Sequence, residues 1–558
     1  MKRAFVAGGV LVLFAFATPS VAQTAGCKAL VVAFQEASLP DLLAVPELRS
    51  LSAAGGVALL NGRADAVTSL RQVTIPATQQ QVPPVCWVEM SPGSSPANAA
   101  QAIQTAIPEL DERSLVLVVS VSPTSASAAD GDELGTVIAA WGDPNELVNA
   151  DGPLRALTSD STRRPGVVAD VDPAATVAEW LGLSYDAGAP MERTGEPAPL
   201  DLYERYLQQR RLAVPAAAAS WGLMLVFGLA GVLALAFRLR VSPGTLALTG
   251  ALAGSLPWLA LGLLMVGHLP SLTVSTVVPF LVVVMVAGVV FDRWVEGHRG
   301  IFVALAAYGG VILGILAIEA ALGWPAAVTP LAGGGQLDGG RFFGMPNVEI
   351  GIVLGSAMFA AHRLRVGAGV VLLAACALVA GSPWTGSNFG AAITLFAAAG
   401  MWLGIRRRRP WWMIAVITGA ITAAGMAAIA VMHRYLTERP THITAFLEHT
   451  SSLSGVLDRL TGRLGIGFDQ LTDTPLAAVP VLGTLVLLFL VLRPPSAIAR
   501  SFEGHDAWRD AVLVILLASV VAYLANDTGA AAVGFGFGFA LAGLIEVSLA
   551  TARRMMAR

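Results

Sequence analysis

From Ala216 to the C-terminus the chain is a succession of apolar runs about 18–24 residues long, separated by short polar connections. A bilayer core of about 30 Å is crossed by about 20 helical residues, so each run has the length of a span. About eleven spans are expected, centred near residues 227, 256, 283, 311, 354, 374, 396, 422, 484, 518 and 539. The preceding segment, 23–212, is patterned differently. Ala29–Phe34 (ALVVAF), Val57–Leu60 and Leu115–Val121 (LVLVVSV) are continuous apolar runs suited to buried strands. Leu39–Ala54 and Ala97–Ile107 have helical spacing, the second stopped by Pro108. Val167–Val171 leads into a helix start at Asp172-Pro173 and a helix over Ala174–Leu183. Strands alternating with helices predict an α/β layered sheet. The expected fold class is thus an α/β domain over 23–212 followed by an all-α polytopic membrane domain over 213–558.

Residues 1–22 have the form of a secretory signal peptide. Lys2 and Arg3 precede the apolar stretch Ala4–Ala17, and Ser20-Val21-Ala22 supplies small residues for cleavage after Ala22. Lipidation at Cys27 and an uncleaved anchor are the alternatives, and each exports the following domain. There Cys27 and Cys86 lie in a compartment that permits a disulfide, a pairing two cysteines leave open, while Cys376 sits in an apolar run. With the N-terminal domain outside, the inner connections carry Arg238, Arg240, Arg293, Arg299, Arg363, Arg365, Arg406 to Arg409, Arg493, Arg500 and Arg509, and the tail carries Arg553, Arg554 and Arg558. The short outer connections carry only Arg341, so the positive-inside rule predicts N-out, C-in in a cell (inner or plasma) membrane. A net charge of −3 without a basic block excludes a nucleic-acid partner.

Two stretches of the exported domain are similar to the alkaline phosphatase superfamily. They are the strand–helix opening with PELRSLSAAGGVALLNGR and the closing STRRPGVVADVDPAATVAEWLGL (Ser161–Leu183). The resemblance implies a fold whose enzymes hold two metals with Asp and His and attack phosphate or sulfate with Ser or Thr. This chain departs from it at the ligands. The end of the first strand reads Phe34-Gln35-Glu36-Ala37, the central strand ends in Ser120-Val121-Ser122-Pro123, and residues 23–212 contain no histidine. Glu36 and Asp41 alone do not build a binuclear centre. No metal and no cofactor is expected, and the domain reads as a degenerate one kept for binding or scaffolding.

Polar groups within spans are costly and call for a reason. Here they gather at the outer ends. The connection 333–344 (GGGQLDGGRFFG) holds Asp338 and Arg341, with Asn347 and Glu349 at the mouth of the next span. Ser382–Asn388 and Asn526-Asp527 occupy two further outer turns, and Glu319 lies about a turn inside its helix. A shared cavity opening outward would explain them together. GGRFFGMPNVEIGIVLG, SPWTGSNFGAAITL and ANDTGAAAVG are also similar to segments of large bacterial membrane proteins that carry an alkaline-phosphatase-like exported domain. That resemblance implies an outward site and a bacterial envelope setting, and no reaction. Each group also has a structural alternative: Asp338–Arg341 as a loop ion pair, Asn526 and Asp527 as the N-cap of the last helix, and Gly529, Gly534, Gly536 and Gly538 as helix contacts. The outer loop 433–475 contributes Arg439 and, within a segment of amphipathic spacing beginning at Thr441, His442.

Three function classes follow. The first binds or handles a phosphorylated or glycan-bearing amphiphile, with membrane lipids, a lipid-linked glycan and envelope proteins as partners. The second is an extracytoplasmic transferase acting on lipid-linked glycans, with catalytic candidates Asp338, Glu349, Asp527 and His442. The third is a transporter of a small solute or ion. Glu319, Arg341, Asn347, Asn388, Asn526 and Arg439 are the substrate-binding candidates, and in the transporter class Glu319 and the polar mouths line the path.

Overall fold

The computed structural model describes residues 26–557 except 62–65, 80–84, 92–93, 123–132, 186–187, 237–241, 333–334, 338–342, 438–460, 462–464, 466–477 and 527–528. The N-terminal part is built on strands β1 (Cys27–Glu36), β2 (Gly56–Asn61), β3 (Val85–Glu89), β4 (Leu110–Ser122), β5 (Gly135–Gly142), β6 (Arg155–Ser159), β7 (Val167–Ala169) and β8 (Met191–Pro197). They form one mixed sheet in the order β3-β1-β4-β5-β2-β6-β8, with β7 alongside β2. β1 runs parallel to both neighbours, Val31 pairing with Trp87 and with Leu117.

The unbroken apolar runs follow from burial on both faces. Leu30, Val32, Val116 and Val118 pack with α1 (Leu39–Leu43), α2 (Pro46–Ala54) and α4 (Pro96–Ala106) through Leu39, Leu42, Leu48, Leu51 and Ile103. Ala29, Val31, Leu115 and Leu117 face the other way, onto Leu70 and Val73 of α3 (Ala66–Gln79) and Val177 of α6 (Asp172–Leu181). A short α5 (Pro144–Leu147) follows β5. Two expectations are refined. The run Leu39–Ala54 is two helices, because Pro46 holds Val45 in an extended conformation (φ −88°, ψ 121°). β5 is antiparallel to both β4 and β2, a strand the apolar runs did not announce. Cys27 and Cys86, whose pairing the sequence left open, form a disulfide between β1 and β3 with Cα atoms 5.7 Å apart.

The C-terminal part is helical: α7 (Leu200–Ala236), α8 (Pro243–Gly254), α9 (Leu256–Met265), α10 (Val274–Arg299), α11 (Ile301–Ala321), α12 (Glu349–Ala361), α13 (Val366–Gly381), α14 (Phe389–Arg406), α15 (Trp411–Tyr435), α16 (Ala478–Leu492), α17 (Ser496–Phe502), α18 (Asp506–Ala525) and α19 (Gly529–Ala557). Among the described residues, 8 helical segments are long and apolar enough to cross a membrane, and α12, α13 and α16 are shorter apolar helices. Each of the eleven expected centres falls on a helix.

Burial orders these helices. The window within Ala532–Met556 of α19 is 100% buried, whereas those of α10 and α15 are 11% and 6% buried. α19 is therefore the axis of the bundle, and α10 and α15 present valines and tryptophans such as Val283, Val290 and Trp411 outward. Small residues let α12 lie against that axis. A Cβ at Gly351 would stand 2.4 Å from the Ala532 carbonyl, and one at Gly355 2.2 Å from the Phe539 ring. Gly536 of α19 packs on Ser519 of α18 in the same way.

Candidate functional site

The two parts meet at one face. Tyr203 and Tyr206 of α7, with Val328 and Leu337 from the connection after α11, belong to the same apolar core as Leu39 and Leu51 of the α/β domain. The polar contacts lie beside it. Gln336, 1% exposed, donates from its side chain to the Gly344 carbonyl (2.7 Å) and accepts from Arg164 Nη2 (2.5 Å). Its own carbonyl accepts from Asn61 Nδ2 at 3.2 Å. Arg163 donates to the Pro383 carbonyl (3.0 Å) and stacks its guanidinium over Phe343, 4.9 Å from the ring centroid. Arg163 has φ +54°, a left-handed turn that directs both arginines of the Arg163-Arg164 corner towards the helical part. Burial lowers the Arg164 pKa to about 10, and its Nε is buried without a partner.

Beneath this contact lies a layer of polar side chains, most of them spent on one another. Glu319, 3% exposed, places Oε1 2.6 Å from His268 Nε2 and accepts the Ala326 N–H on Oε2 at 3.0 Å. One carboxylate thus ties the turn after α9 to the turn after α11. Asn388 N-caps α14 by accepting the Ala391 N–H at 2.9 Å. Its Nδ2 donates to the Met345 carbonyl (2.8 Å) and to Asn347 Oδ1 (3.1 Å). Asn526 closes α18 and does not cap α19: its Nδ2 returns to the Ala522 carbonyl at 2.8 Å, and its buried Oδ1 has no partner. Gly390 is what admits it, since a Cβ there would lie 2.0 Å from that oxygen.

Glu349 is the exception to this pairing. It is the first residue of α12 and 0% exposed, and neither carboxyl oxygen has a hydrogen-bond partner. Its acidic neighbour is Glu319. Asp338, Arg341, Arg439, His442 and Asp527 lie outside the described residues, as does the amphipathic segment 441–464 apart from residue 461. The structure brings Glu319, Asn347, Glu349, Asn388 and Asn526 to one layer on the α/β-domain side of the helices. It adds His268, Gln336, Arg163 and Arg164, which residue type alone did not single out. Gln336 had a local signal, a lone amide inside a glycine-rich stretch; the arginine pair and His268 had none.

In the α/β domain the ends of β1 and β4 are closed by structural hydrogen bonds. Ser120 Oγ accepts the Ala37 N–H and lies 2.9 Å from the Ala37 carbonyl, fixing the turn into α1. Asp172, 0% exposed, accepts from Ser159 Oγ (2.5 Å), Ser161 Oγ (2.7 Å), Ala169 N (2.7 Å) and Ala189 N (3.0 Å). Burial raises its pKa, and these four bonds pull the other way. Among the described residues, the one group of three potential metal ligands is Cys27, Cys86 and Glu109, and its two thiols are joined in the disulfide. No protein-family model, curated protein or solved structure matches this chain.

Proposed function

We propose that this is a multi-pass protein of a bacterial inner membrane that binds a glycan-bearing or phosphorylated amphiphile at its outer face. In this reading all eleven apolar helices span, the α/β domain is extracytoplasmic after signal-peptide removal, and it is an alkaline-phosphatase-like domain without catalytic ligands. The observation that carries the reading is Glu349, a carboxyl with two unpaired oxygens in a layer whose other members mostly pair. A buried unpaired carboxyl is expensive, and sugar hydroxyls are donors suited to it. Arg164 Nε, also unpaired, supplies a donor for a phosphate or a glycan oxygen nearby. The valines exposed along α10 suit contact with acyl chains.

Native mass spectrometry of the intact protein released from mild detergent tests this. The expected result is a retained phosphorylated or glycosylated amphiphile that is lost in Glu349→Gln and weakened in Arg164→Ala. A ligand-free mass across several gentle detergents would refute it. The second reading, transport of a small solute or ion, is favoured by the Glu319–His268 pair next to Glu349, a titratable set at one mouth of the bundle. Flux in proteoliposomes that disappears in Glu319→Gln would support that reading over amphiphile binding. A transferase is favoured by no described contact.

A further inference from the structure

At the far end of the same helices, away from the α/β domain, lies a second buried polar cluster. Asp292 of α10 and Glu546 of α19 are 4% and 1% exposed. Asp292 is 18 residues beyond the start of α10, about 27 Å along its axis. Their carboxyls are neighbours in the packed bundle. Yet Asp292 Oδ1 and Glu546 Oε2 receive no bond from any protein donor. Two carboxylates are both acceptors, so neighbouring carboxyls left with unpaired oxygens can satisfy one another only when one of them carries a proton.

The surroundings require the same proton. Arg293 donates to Glu546 Oε1 at 2.8 Å and also pairs with Glu296, and Arg553 of α19 reaches Glu296 at 3.0 Å. The described titratable groups facing the pair are therefore Arg293 and Glu296 on α10, Arg553 on α19 and Tyr308 on α11. α8 and α9, which pack alongside, contain no titratable residue. Three acids against two arginines leave one negative charge in a buried site, and one bound proton cancels it. Independently of this count, the Tyr308 hydroxyl is 0% exposed, has no hydrogen-bond partner and lies within electrostatic reach of both carboxyls. Gly254 of α8 makes room for the arrangement, since a Cβ there would stand 2.3 Å from Glu546 Oε1.

We infer that Asp292 and Glu546 form an exchangeable proton-binding site between the tenth and last helices, poised by Arg293, Glu296 and Arg553. The ligand is a single proton, taken from and returned to water at that end of the bundle. The site stands apart from the outer layer, so it holds whether the protein binds an amphiphile or transports a solute. In the transport reading it supplies the coupling ion.

Infrared spectroscopy of the full-length protein in lipid nanodiscs, on a Glu349→Gln background, tests the inference. The expected result is a protonated-carboxyl stretch at neutral pH that shifts in deuterated water and disappears in both Asp292→Asn and Glu546→Gln. Glu296→Gln removes the competing acid and frees both arginines for the pair, so the band should titrate away with proton affinity about tenfold lower. Glu296 is the most exposed of the three acids, so that variant serves even where substitution of the buried pair prevents folding. A band untouched by either pair substitution, or a titration that Glu296→Gln leaves in place, would overturn the assignment.

Discussion

Single residues in this protein divide according to whether their polar atoms are spent. Asp172 is fully spent: four donors converge on one buried carboxylate and hold β6, β7 and α6 together. Asp172→Ala should cost about 3 kcal/mol or more, because it leaves several buried donors unsatisfied at once. Thermal unfolding of the α/β domain within the whole protein would measure it, and a loss under about 1 kcal/mol would contradict the assignment. Glu349 is the opposite case. Glu349→Gln replaces a buried carboxyl that has no partner with a neutral group of the same shape, so the protein should fold about as stably while losing its ligand. Loss of folding together with the ligand would instead give Glu349 a structural role. Gln336 lies between these two, since its side chain and backbone join Arg164 and Asn61 to the Gly344 turn.

At the scale of elements, the disulfide and the close helix contacts make separable predictions. The Cys27–Cys86 bridge closes a sequence separation of 59 residues, for which chain-entropy arguments give about 4 kcal/mol. Reduction, or replacement of both cysteines by serine, should lower the melting temperature of the α/β domain and leave the helical part unchanged. A uniform shift of both transitions would mean the domain and bundle unfold as one unit. α12 depends on its glycines. Gly355→Leu drives a side chain into Phe539 on the central helix and should abolish stable assembly, seen as loss of monodisperse protein in detergent. Asn388→Ala removes the cap of α14 and its tie to Asn347, at a cost of about 1–2 kcal/mol.

For the whole molecule, the proposed orientation is open to direct labelling. Cys27 and Cys86 are paired, so replacing Cys376 by alanine gives a background without free thiols. A cysteine introduced at Gly195, in the α/β domain, should react with a membrane-impermeant maleimide applied from outside. One introduced at Arg407, between α14 and α15, should react only after permeabilisation. The reverse pattern would invert the topology and place the Arg164–Gln336 contact on the cytoplasmic side.

Much of the architecture was legible in the chain alone. A continuous apolar run such as Ala29–Phe34 has one economical place in an α/β sheet, and a run of bilayer length forms a helix whose backbone satisfies itself. The helix on which each span centre falls is a local consequence of hydropathy and needed no partner, although α7 begins at Leu200, within the segment 23–212. Pairing is not local. β5 carries no signal that it will run antiparallel between β4 and β2, because strand order is chosen by which buried faces meet. The polar residues are the sharper case. Glu319, Glu349, Asp292 and Glu546 look alike as carboxylates in apolar surroundings, and sequence spacing did not distinguish their surroundings. Only tertiary packing gave Glu319 a histidine, left Glu349 unpaired and set Asp292 against Glu546 from a helix some 250 residues away. A buried charge is defined by what faces it, and in this bundle the facing residues come from distant parts of the chain.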